Sequence, residues 1–246
     1  MSFGNVLSHA FEAYNRNIRL ISFFSVPFLI AFPLSLLLPN FISVSGTFLR
    51  FGSIQRDISA LEAAGIIAVF LVALALISFA IVSINLVIKS QRTLIRLKDE
   101  DLMRIESSTV KMFFIFLLVF AVTLAINMFL YEYGLHTTLG AAITFVAALA
   151  VLFAPQAIVI DELSVPRAIS MSMRICAIRL PYLIGFMAIA AVLILACTQF
   201  FIFLQPAFGG LGYAARFMSI AVNGLVILPF LEVLKTQIYL SKYTIL

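Results

Sequence analysis

Glu232 is the one carboxylate standing well inside a long apolar stretch of the chain, and Lys235 follows it three residues later. On a helix that spacing puts both side chains on one face, where they neutralise each other. A lone charge at the centre of a bilayer costs about 2.5–3.5 kcal/mol on insertion scales, so a retained one marks either a neutralised pair or a working site. In the first reading the pair sits near the inner interface, with the Lys235 ammonium snorkelling to water. In the second, Pro229 frees a backbone carbonyl and Glu232 joins Gln156 and Asp161 in a polar pocket on the inner side. Asn85, Asn127, Gln199 and Asn223 are neutral polar residues in the same apolar stretches. They are expected to bond between helices, a contribution of about 0.6–2 kcal/mol each.

Other reactive groups are sparse. His9 precedes the first apolar stretch and His136 falls between the third and fourth, on the opposite side of a membrane, so the two form no joint metal site or acid-base pair. Cys176 and Cys197 have no CxxC pattern and no nearby His, and read as small apolar residues. Neither GxxxxGK[ST] nor GxGxxG occurs; Gly209, Gly210 and Gly212 belong to a turn between apolar stretches. The expectation is no catalytic residue, no metal and no cofactor.

The elements that must position these residues follow from composition. Of 246 residues 63% are hydrophobic and 11% charged, against about 45–50% apolar and about 25% charged in a soluble domain. A membrane helix needs about 20 mostly apolar residues to cover roughly 30 Å of hydrocarbon. Six stretches qualify, at 18–38, 60–88, 112–132, 137–160, 181–204 and 215–240, which predicts a single all-α polytopic transmembrane bundle. Ser59 and Glu62 fit a capping box, and Pro181 fits a first helical turn. Pro27, Pro33, Pro155 and Pro229 should kink helices one, four and six. With 25 Phe and no Trp, the aromatic belt falls to Tyr131, Tyr133 and Tyr213 outside and to Tyr14, Tyr182, Tyr239 and Tyr243 inside.

Basic residues set the orientation, because Lys and Arg are retained on the cytoplasmic side. Arg16, Arg19, Lys89, Arg92, Arg96, Lys98, Arg104, Lys111, Arg167, Arg174, Arg179, Lys235 and Lys242 share one side, leaving only Arg50, Arg56 and Arg216 on the other. Both termini are therefore expected in the cytoplasm of a cell-membrane protein. The formal charge of +5 reads as this asymmetry and not as a nucleic-acid surface.

Residues 1–17 carry Phe3, Val6, Leu7, Ala10, Phe11, Tyr14 and Ile18 on one stripe, with polar residues opposite and Glu12 paired to Arg16. This is an interfacial helix. A second is predicted over 164–180, where Ile169, Met173, Cys176 and Leu180 face away from Arg167, Ser170 and Arg174. Each is either a connector packed on the bundle or a sensor of anionic lipid through Arg16, Arg19, Arg167, Arg174 and Arg179. The tripeptides Ile18-Arg19-Leu20 and Ile178-Arg179-Leu180, with Asp101 to Lys111 as a shortened version, suggest three tandem units of surface helix plus hairpin.

Ala154-Pro155-Gln156-Ala157-Ile158-Val159-Ile160-Asp161-Glu162, followed by Ala168-Ile169-Ser170-Met171-Ser172, places a late proline, a terminal acid and an Ala-x-x-x-Ser helix in series. With Phe11 to Asn17 and Lys235 to Leu240, this resembles the membrane domain attached to some glycerophosphoryl diester phosphodiesterases and related uncharacterised six-helix prokaryotic proteins. The resemblance implies an architecture and no activity, since the phosphodiesterase reaction belongs to a separate barrel domain for which this chain has no room. The chain departs from that family after Tyr239, where Leu240, Ser241 and Lys242 replace its acidic closing motif.

Three functions remain in view. The first is a non-enzymatic accessory subunit or membrane organiser that contacts the bilayer, its anionic lipid at the cytoplasmic face, or a membrane-protein partner. The alternative is a small secondary transporter with a water-filled cavity lined by Asn85, Asn127, Gln156, Asn223 and Glu232. A membrane-embedded lipid enzyme would instead gather Asp161, Glu162, Arg92 and Arg96 at the inner interface.

Overall fold

The computed structural model describes the backbone of residues 2–36, 41–44, 47–50, 60–93, 99–208 and 212–243, with side chains over 2–31, 64–90, 104–131, 133–206, 214–215 and 217–243. The Ser59–Glu62 capping box, the turn at Gly209 and Gly210, and the side chains of Arg50, Arg56, Arg92, Arg96, Tyr213 and Arg216 lie outside the described residues. In chain order the helices are α1 (Phe3–Arg16), α2 (Ile18–Leu36), α3 (Ala60–Thr93), α4 (Asp99–Glu132), α5 (Ala141–Val151), α6 (Ala154–Val159), α7 (Val165–Ile178), α8 (Leu180–Leu204), α9 (Gly212–Val222) and α10 (Leu228–Leu240). They build an all-α bundle. Between α2 and α3 a short antiparallel hairpin, unanticipated by the sequence pattern, pairs Phe41–Val44 with Thr47–Arg50, Phe41 lying opposite Arg50.

Among the described residues five helical stretches are long and apolar enough to cross a membrane: Ala64–Ser90, Arg104–Tyr131, His136–Val159, Leu180–Leu204 and Phe217–Tyr243. This is a multi-pass membrane protein by the length and composition of its helices. The remaining apolar helix, α2, has 19 residues and stays helical through Pro27 and Pro33.

Two of the long stretches are interrupted, and proline chemistry locates each interruption. A proline ring clashes with the carbonyl four residues earlier and donates no hydrogen bond to it. Pro155 therefore acts at Val151, which is where α5 ends; two turn residues follow before α6. Pro229 acts at Leu225, inside a π-helical turn, Asn223–Ile227, that joins α9 to α10. A second π-helical turn, His136–Gly140, leads into α5.

The break before α6 is sealed from outside. Phe153 N–H donates to Ser172 Oγ on α7 at 2.9 Å, and the same hydroxyl donates to Leu149 O at 3.4 Å. Ser172 is fully buried, so Ser172→Ala leaves an amide N–H without an acceptor. The expected loss is about 1–3 kcal/mol, seen as a lower unfolding temperature in detergent; an unchanged temperature would show that the hydroxyl carries no part of this seal.

The face of α7 turned to the bundle carries Ala168, Ser172, Ile175 and Cys176. The predicted stripe is thus rotated: Met173 is 54% exposed, because the polar Ser172 is drawn inward to the broken backbone. In α1 the buried positions are Val6, Ala10 and Tyr14, with Phe11 against Phe230 at 4.6 Å between ring centroids. Glu12 and Arg16 form no ion pair with each other; exposed charges one turn apart gain little from pairing.

These two surface helices correspond closely. Each has 14 residues, begins after a serine in extended conformation, Ser2 or Ser164, and ends in a single non-helical residue, Asn17 or Arg179. Shifting α1 by the 162 positions between Ser2 and Ser164 carries Val6, Ala10 and Tyr14 onto Ala168, Ser172 and Cys176, all buried. The Ile-Arg-Leu tripeptides are two positions out of this register. The middle segment has no such helix: Asp101 to Lys111 is the continuous start of α4, since nothing in it breaks a helix.

Candidate functional site

Helices α3, α6 and α10 converge on Glu232. Its Oε1 accepts from Asn85 Nδ2 and from Gln156 Nε2, each at 3.0 Å, and its Oε2 lies 2.7 Å from Lys235 Nζ. Thr236, one turn after Glu232, donates to Asn85 Oδ1 at 2.6 Å and receives Gln156 Nε2 at 3.4 Å. Asn85 Nδ2 also reaches Ile81 O on its own helix at 2.8 Å. Three helices are thereby cross-linked by one carboxylate and its donors. In a medium this poor in water such a network is stable only when nearly every member is paired.

Lys235 does not snorkel. It is 6% exposed, and its ammonium turns to Glu232 and to Leu152 O, 3.4 Å away at the break between α5 and α6. The interrupted helix supplies polar backbone inside the bundle, so the charge has no need of the interface. Gln156 Oε1 is the exception to closure: among the described residues it has no donor. Turning the amide over would set that oxygen against Glu232 Oε1, so the observed orientation is the one the carboxylate imposes.

Asp161 lies outside this cluster. It follows the end of α6 and meets α10 two turns beyond Glu232, accepting from Tyr239 Oη at 2.7 Å and from Lys242 Nζ and Tyr243 Oη. Burial pushes its carboxyl up, but the hydrogen bonds from Lys242, Tyr243 and Tyr239 outweigh that and hold it below its ordinary value. Tyr239, expected in an interfacial belt, is instead wholly buried, as is Tyr14 nearly so.

Glu162 turns the other way. It meets Lys89 Nζ at 2.9 Å and Arg104 Nη1 at 3.0 Å, and Lys89 also reaches Val159 O at 2.8 Å. The hydrogen bond from Lys89 is the chief reason its carboxyl sits below its ordinary value; burial opposes, and the charges of Lys89, Arg104 and Lys111 assist. Its φ of +57° is a left-handed conformation that costs a non-glycine residue about 1–3 kcal/mol.

The expected transport lining does not assemble. Asn85, Gln156 and Glu232 meet, whereas Asn127 bonds Thr144 Oγ1 at 3.1 Å and Asn223 bonds back to Ser219 O at 2.9 Å within its own helix. Gln199 is exposed on α8. Arg16, Arg167 and Arg174 are exposed on the surface helices and Arg19 in the first turn of α2, but Arg179 donates to Ser241 O at 3.1 Å and lies over the Tyr182 ring. Cys176 is buried, with its thiol pushed up to about 11 by burial, which makes it a poor nucleophile. Among the described residues no three His, Cys, Asp or Glu side chains come together.

Residue type does not single out Thr236, and it names Lys89, Arg104 and Lys242 only as signals of orientation. Thr236 had a signal in its four-residue spacing from Glu232, whereas the partners of the three cations depend on tertiary contacts. The chain matches no protein-family model, no curated protein and no solved structure.

Proposed function

We propose that the chain is a non-enzymatic membrane protein, an accessory subunit or membrane organiser, that works through lipid and protein contacts with both termini on the cytoplasmic side of the cell membrane. The observation that carries this reading is the commitment of Glu232: both carboxylate oxygens are taken by Asn85, Gln156 and Lys235. A transport or catalytic carboxylate must give up such partners to a solute, and here they hold three helices together. The exposed side of α8 supports the same reading, since only 11% of its most apolar window is buried and the rest is presented to lipid or to another protein. The thirteen basic residues that the pattern of apolar stretches assigns to one side support the orientation. The likeness to the phosphodiesterase-associated membrane domain adds an architectural precedent of the same kind.

Purification from the native membrane in a mild detergent should bring a second protein in fixed ratio. One observation favours the alternative, a small secondary transporter or permease: both interrupted helices flank Glu232. The chain purified alone, and driving solute uptake in vesicles that Glu232→Gln abolishes, would establish that alternative and displace the accessory role.

A further inference from the structure

A cavity of about 240 Å³ opens between α3, α4 and α6, separate from the Glu232 cluster. Its floor is apolar, formed by Val82, Leu86, Ile105, Ile158 and Val159, and its rim carries Lys89, Arg104, Lys111 and Glu162 with the hydroxyls of Ser107 and Ser108. Three cations against one carboxylate leave the rim with a formal charge of +2. Among the described residues Lys111 makes no hydrogen bond or ion pair, and Arg104 spends one guanidinium nitrogen, on Glu162. The remaining donors of the fork are the kind that bind planar or tetrahedral oxyanions in pairs. The volume equals the share of roughly eight water molecules and lies below the roughly 300–1,000 Å³ of sites for drug-sized ligands. It suits a phosphate with a small substituent, any larger remainder of the ligand lying outside the cavity.

We infer that this cavity binds a phosphate-bearing group, and that Glu162 stands in for the phosphate by occupying Lys89 and Arg104 when the group is absent. The left-handed backbone of Glu162 is the local distortion that brings its carboxylate back over the two cations. A phosphate takes Arg104 and Lys111 first, then displaces Glu162 toward solvent, where its side chain is already 57% exposed. The apolar floor beneath a cationic rim matches a phospholipid, headgroup at the rim and glycerol ester below; a soluble phosphate compound would use the rim alone. The inference is independent of the accessory role, since a transporter would carry the same site.

The test uses the full chain in mild detergent with two probes, phosphatidylglycerol and inorganic phosphate, read by native mass spectrometry and thermal unfolding. The wild type should retain one phosphatidylglycerol. Lys111→Ala and Arg104→Ala should each weaken retention at least five-fold, Lys111→Arg should keep it, and Glu162→Gln should strengthen it by removing the internal competitor. Gln199→Ala, on the exposed side of α8, should behave as wild type. Stabilisation by inorganic phosphate that these variants abolish, without lipid retention, would assign the site to a soluble phosphate compound. Equal binding of both probes by the wild type, Lys111→Ala and Arg104→Ala, or binding of neither probe by the wild type, would overturn the inference. Lys111 makes no side-chain bond among the described residues, so its substitution leaves the fold intact and the comparison interpretable.

Discussion

Lys235→Met is expected to destabilise the protein by about 3–5 kcal/mol, the cost of leaving one member of a buried ion pair without the other. Glu232 would then face Asn85 and Gln156 with no cation within reach, since its other oxygen has Lys235 as its partner. Glu232→Ala should be as severe for the converse reason, stranding an ammonium that is 6% exposed. The double variant Glu232→Gln, Lys235→Met separates this account from a simple packing defect. Glutamine keeps an oxygen for Asn85 and Gln156 and removes the charge, so most of the lost stability should return. Thermal unfolding of the wild type, Glu232→Gln, Lys235→Met and the double variant, followed by detergent size exclusion, closes the cycle and gives the coupling directly. If the double variant is as unstable as the sum of the singles, the side chains act independently and the cluster is not the unit described above.

How much of this cluster could be read from the chain depends on the residue. Glu232, Lys235 and Gln156 stand out because an ionisable or amide group in an apolar run must find a partner, and a three-residue spacing names one. The location of Asn85 opposite them depends on which helices are neighbours, which hydrophobic periodicity does not encode. A mere kink at Pro155 would leave Lys235 only the interface to reach for. Once the helix opens at Leu152, its carbonyl makes the interior hospitable to an ammonium. Asp161 was misplaced for a related reason: the short α6 ends at Val159, so the next acid leaves the helix face that carries Gln156. The bundle and its long apolar helices were legible from hydrophobic length alone, a signal that needs no tertiary knowledge. The inward face of α7 is not, because the polar Ser172 is buried to serve backbone opened ahead of Pro155, and nothing in the pattern of α7 itself names that partner.

The same reasoning makes Gly140 the most sensitive small residue at the far end of the bundle. A Cβ built there would overlap Asn127 Oδ1 and approach Asn127 Cγ to 3.2 Å. An exposed amide would swing aside, but Asn127 is held by Thr123 O at 2.8 Å and Thr144 Oγ1 at 3.1 Å. Gly140→Ala must therefore break the bond joining α4 to α5 or displace the π-helical turn His136–Gly140. Overpacking of this kind costs about 1–3 kcal/mol, and the lost interhelical bond adds about 0.6–2 kcal/mol. In an Asn127→Ala background the obstruction is gone, and Gly140→Ala should become neutral or stabilising by about 0.4–1 kcal/mol through the reduced freedom of the unfolded chain. A change of sign between the two backgrounds, measured by thermal unfolding, is the expected result. The same destabilisation in both would mean that alanine strains the π-helical backbone itself, and that Asn127 does not set the requirement for glycine.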